Sequence, residues 1–120
     1  MKICFLFLLS TCVVFASHAQ TSSTDSLYMV TYTTGLSWDV AKKPHEQTYF
    51  KEHSSNLSAL RKAGTIKFGA RYAEKGIIII AAKSFKEAKD LITADQAVVN
   101  KLFNADVQRL NVFYQWKDQP

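Results

Sequence analysis

His53 is the residue in this chain best suited to chemistry. It recurs with Phe50, Leu57 and Leu60 at steps of three, four and three, the spacing of one helix face. Lys51, Ser55, Ser58 and Lys62 fall on the opposite face. An imidazole in an apolar stripe is directed at the protein instead of at water, and it exchanges protons near neutral pH. A carboxylate bonded to one ring nitrogen fixes the tautomer and makes the other nitrogen a better base. Asp95 heads a short helical stretch carrying Val98, Val99, Leu102 and Phe103. The plainer readings are a core histidine bonded to a carbonyl and an ordinary helix N-cap. The residues alone leave both pairs of readings open.

Three further side chains are candidates for holding a ligand. Arg71 lies on a strand, expected on the side opposite Ile66 and Phe68, where a guanidinium can grip a carboxylate. Tyr32 and Trp38 can wall an apolar pocket. A solvated arginine and ordinary aromatic packing are the competing readings. Residues 20–120 hold two histidines, His45 and His53, and no cysteine. No metal-ligand cluster, nucleophilic triad motif or phosphate-binding glycine loop is present, so neither metal nor cofactor is expected.

The elements that position these residues begin after a leader. Met1-Lys2, the apolar run Ile3–Phe15 and the small residues of Ser17-His18-Ala19 form the pattern of a secretory signal peptide. The expected domains are a signal at 1–19, a flexible Ser/Thr-rich tether at 20–26, and one α+β domain at 27–117. The destination is periplasmic or secreted. Leu9-Ser10-Thr11-Cys12 loosely resembles a lipobox, which keeps a lipid-anchored alternative open. Both cysteines, Cys4 and Cys12, fall in the leader, so the exported domain relies on its core or on oligomerisation, without disulfides. The net charge of +5 comes from scattered basic residues. Nucleic-acid binding wants a clustered patch and is not expected.

A first strand is read at Leu27–Thr34. A helix follows from about His45, after Pro44, to Ala63, stopped by Gly64. Thr65–Tyr72 and Gly76–Ala82 read as a hairpin. Ser84-Phe85-Lys86-Glu87 is a capping box opening a second helix. Ala105–Trp116 reads as the last strand. The order β-α-β-β-α-β predicts a ferredoxin-like fold: a four-stranded antiparallel sheet with both helices on one face. Ile77–Ile80 is apolar at every position, so the helix-free face also wants cover. A homodimer packed through that face supplies it.

Four segments together resemble the YCII-related domain family. The first is a helical histidine followed by an amphipathic stretch ending in Ala-Gly, here His53 through Leu57 and Leu60 to Ala63-Gly64. The second is a glycine late in the next strand, Phe68-Gly69-Ala70. The third is the Gly-apolar strand leading into a serine-started helix, Gly76 through Ser84-Phe85-Lys86-Glu87-Ala88. The fourth is Ala94-Asp95 ahead of a final strand ending in Trp116. Gln96 and Ala70 stand where the family usually has proline. The resemblance implies a dimeric α/β-barrel and a His–Asp pair at the active site, which maps to His53 and Asp95. Two functions follow: a cofactor-independent enzyme moving protons on a small organic substrate, or a non-catalytic small-ligand-binding or structural dimeric module with the same pocket.

Overall fold

The computed structural model describes residues 25–117. The signal-peptide reading and the tether up to residue 24 lie outside the described residues. β1 (Ser26–Thr34) is rich in β-branched and aromatic residues and buries Tyr28, Val30 and Tyr32 on alternate positions. A 3-10 turn at Pro44–Glu46 precedes α1 (Phe50–Lys62). The hairpin β2 (Ile66–Tyr72) and β3 (Lys75–Ala82) leads to α2 (Phe85–Thr93), the one-turn α3 (Gln96–Val99) and β4 (Phe103–Leu110). The sheet order is β2-β3-β1-β4, and every neighbouring pair is antiparallel. The architecture is α+β, a four-stranded antiparallel sheet with three helices.

The core is one row of side chains on the central strands. Val30 is opposite Ile78 on one side and Val107 on the other, and Tyr28 is opposite Ile80. Ala88 and Ile92 of α2, Leu57 of α1 and Val98 of α3 pack on this row. The other sheet face carries Leu27, Met29, Ile77 and Ile79, all only partly covered, with Phe68 52% and Tyr72 59% exposed.

α2 starts where its sequence dictates. Ser84 Oγ accepts from the Glu87 N–H at 3.1 Å. The Glu87 carboxylate accepts from the Lys83 N–H at 2.7 Å, one residue before the cap.

The first helix, β2 and the last strand differ from the sequence reading, each for a local reason. The first helix starts at Phe50 and not at His45, because Tyr49 adopts a left-handed backbone, φ 70°, that an α-helix cannot continue through. β2 carries a bulge: Ile66 pairs with Ile80 but Phe68 with Ile79, leaving Lys67 as the extra residue. A bulge reverses the alternation beyond it. Phe68 therefore joins the helix-free face, and Arg71 shares the helix-covered side with Ile66 instead of opposing it. The last strand is Phe103–Leu110 and not Ala105–Trp116: it starts early because Thr33 and Thr34 of β1 pair with Asn104 and Phe103, and it stops where β1 runs out, with Leu27 opposite Leu110 as the final pair. Phe113 and Trp116 beyond it are 88% and 91% exposed.

Candidate functional site

Asp95 sits at the turn between α2 and α3 and is 2% exposed. Its two oxygens do different work. Oδ1 accepts the Ala97 N–H at 2.9 Å and caps α3. Oδ2 lies 2.6 Å from His53 Nδ1. The Asn56 amide reaches the same oxygen at 3.5 Å, too long to count for much. The N-cap reading and the dyad reading of this residue thus use different atoms of one carboxylate.

Burial alone raises the Asp95 carboxyl, but the His53 hydrogen bond, the Ala97 N–H and the His53 charge outweigh it, so its pKa is held below the ordinary 3.8. An ionised carboxylate only accepts, so His53 Nδ1 carries the proton in the bond. In the neutral ring the lone pair is then on Nε2. Nε2 makes no hydrogen bond among the described residues, and it is not one of the solvent-sealed orphan atoms. His53 lines a pocket of about 560 Å³.

The pocket lies between the start of α1, the loop after β1 and the β2–β3 hairpin. Tyr32, Trp38 and Arg71 all line it, together with Phe50 and Phe103. The five sequence candidates are therefore brought to one place, with Asp95 directly behind His53. Around the imidazole the rings converge. Phe103 is 4.8 Å away between centroids, Tyr32 meets it edge-on at 5.2 Å, and Phe50 is 6.4 Å off. Arg71 is exposed at the rim and pairs with no carboxylate among the described residues. His45 is exposed and takes no part.

Two contributors carried no sequence signal. Gln47 is 5% exposed and clamps the loop that carries Trp38. Its amide donates to the Asp39 carbonyl at 2.6 Å and the Lys42 carbonyl at 3.1 Å, while its oxygen accepts from the Asp39 N–H at 3.0 Å. Phe103 reads in the sequence as the end of the short helical stretch after Asp95, with no sign of a site role, yet it opens β4 and is the ring against which both His53 and Trp38 rest.

Tyr32 is 5% exposed, and its hydroxyl is buried with no hydrogen-bond partner among the described residues. Burial first, and the Asp95 charge second, push its phenol far above 10.0, so it stays neutral. A buried hydroxyl without a partner is destabilising by about 1–3 kcal/mol. Tyr32→Phe is therefore expected to raise stability by about 1 kcal/mol in urea unfolding. A loss of similar size would show that the hydroxyl has a partner.

Neither the comparison with protein-family models nor that with curated proteins finds a match for this chain. Among the described residues there is no group of three or more metal-type ligands, and no helix is long and apolar enough to cross a membrane.

Proposed function

We propose that this is an exported YCII-like protein of the ferredoxin-like, dimeric α/β-barrel type, in which His53 and Asp95 move a proton on a small organic molecule. The observation that carries the reading is the 2.6 Å contact between His53 Nδ1 and the Asp95 carboxylate, made by a histidine that lines a pocket. Asp95 holds the ring in one tautomer and stabilises the imidazolium that forms when Nε2 takes a proton. Arg71 at the rim receives an anionic group of the substrate, and Tyr32 and Trp38 shape the walls. Support for the dimer is the helix-free sheet face, where Ile77, Ile79, Met29 and Phe68 form an apolar patch.

Proton exchange tests the reading across a class of compounds. Small keto acids and conjugated acids are incubated with the protein in D2O, and loss of their activated C–H signals is followed by proton NMR. Uptake of deuterium is expected to be faster with wild type than with His53→Gln by a factor of about 10²–10⁴. Equal rates in the two proteins would sink the enzyme reading and leave the non-catalytic binding module.

A further inference from the structure

We propose that the pocket over His53 takes a flat, conjugated organic acid, seated against the rings of Trp38, Phe50 and Phe103. The inference deepens the proton-transfer reading and rests on it for the chemistry. What the pocket admits is argued separately, from its walls.

The three rings come from three different elements: the loop after β1, the first turn of α1 and the start of β4. Phe103 is the common neighbour, 5.7 Å from Trp38 and 6.4 Å from Phe50 between centroids. All three are only half-buried, whereas Tyr28, which fills the core, is 2% exposed. All three line the pocket, so uncovered ring surface is available to an occupant there. Ring faces attract flat π systems in offset or edge-on contact beyond what their area alone gives. On the sheet side the lining includes Gly69 and Gly76, which contribute no side chain. A Cβ built at Gly69 would meet Ile78 Cγ2 at 3.7 Å and little else.

The chemistry narrows the class further. When Nε2 takes a proton from carbon, the C–H bond breaks and its electron pair must be held somewhere. The ionic side chains among the lining residues other than His53 are Arg71 and Glu74, and both are exposed on the β2–β3 hairpin. Around the imidazole itself the walls are aromatic. The substrate must therefore spread the charge through its own double bonds onto its carbonyl or carboxylate oxygens. The proton on Nε2 then returns to a different carbon of the same conjugated system. The double bonds shift, atoms and electrons balance, and no oxidant, reductant or second reactant takes part.

The test uses two probes of equal charge and similar size, benzoate and cyclohexanecarboxylate, which differ in being flat or puckered. Binding to the chain is followed through the His53 ring signals by NMR. Benzoate is expected to bind about three- to tenfold tighter, the effect of one ring contact. Gly69→Val keeps a strand-favouring residue in a strand and narrows the pocket on its sheet side. It is expected to weaken benzoate binding with an unchanged circular dichroism spectrum. Trp38→Leu, on the loop, is expected to erase the preference for the flat probe. Equal affinity for the two probes, or benzoate affinity unchanged by Gly69→Val, would overturn the assignment. These readouts need no turnover. Selectivity without His53-dependent deuterium uptake keeps the ligand class and removes the proton-transfer reading; uptake without selectivity does the reverse.

Discussion

Asp95→Ala is expected to cost about 3 kcal/mol of stability, measured by urea unfolding. Two losses combine. The α3 cap disappears, at about 0.5–2 kcal/mol, because no side-chain oxygen accepts the Ala97 N–H. The His53 Nδ1–H, in a residue 8% exposed, loses its acceptor, at about 1–3 kcal/mol. Asp95→Asn keeps one oxygen for the Ala97 N–H and turns its NH2 toward His53 Nδ1, which accepts it in the other tautomer, so it is expected to cost less than Asp95→Ala. Asp90→Ala is the control: its ion pair with Lys86 is exposed, and exposed pairs contribute little. If Asp95→Ala unfolded at the wild-type midpoint, the contact with His53 would not exist in solution. A pH dependence follows from the same carboxylate. Its pKa is lowered in the folded chain from the ordinary 3.8. Its contribution is therefore complete above the unfolded-state value and is lost as pH falls through the folded one. Wild type is expected to lose more stability on acidification below about pH 4 than Asp95→Asn does, in parallel melts.

Gly35→Ala is expected to be at least as damaging. A Cβ at Gly35 would lie 2.1 Å from the Lys101 carbonyl oxygen and 2.8 Å from its carbon. Neither is a flexible side-chain end, so backbone must move. That backbone is tied in place. The Gly35 N–H donates to the Leu102 carbonyl at 2.8 Å, and the Ser37 N–H donates to the Lys101 carbonyl at 2.9 Å. Lys101 itself holds φ 61°, an uncommon conformation for a lysine. Relieving the overlap breaks these bonds and shifts the loop carrying Trp38, at about 3 kcal/mol or more. For a domain of this size that is a fall in Tm of more than about 10 °C. Gly69→Ala, with its nearest contact at 3.7 Å, is the matched control and is expected to melt near wild type. A Gly35→Ala protein that melts with wild type would mean the close approach is absent in solution.

The sequence made some of this legible and hid the rest for identifiable reasons. The stripe through Phe50, His53 and Leu57 was readable because helix periodicity is a local property, and His53 is the buried residue of α1. Asp95 was readable as a cap for the same reason; that its second oxygen meets a residue 42 positions away is tertiary and leaves no local trace. The α+β order followed from strand and helix signals. The β2 bulge did not, since TIKFGARY alternates well as written and the register is set by β3. The end of β4 was hidden too: Val112, Tyr114 and Trp116 have strand character, but pairing stops where β1 begins. Gln47 gave no signal because a buried amide is recognisable only once the carbonyls it ties are in place.

The sheet has two edges, and the residues there govern which way chains can stack. β2 is one edge, and the extra residue at its bulge, Lys67, is exposed and charged. A neighbouring strand laid alongside would find the row of N–H and C=O groups out of step at that point. β4 is the other edge, and on the helix-free side it presents Asn104, Asp106 and Gln108, all exposed. The apolar residues of that side, Phe68, Ile77 and Ile79, are thus set inward from the polar strand and beside a broken edge. Growth into an endless ribbon by strand addition is hindered at the β2 margin by the bulge and disfavoured at the β4 margin by its polar side chains, while contact through the broad face is left open. A chain whose Ile77 and Ile79 are only partly covered is thereby guarded against the fibrous route.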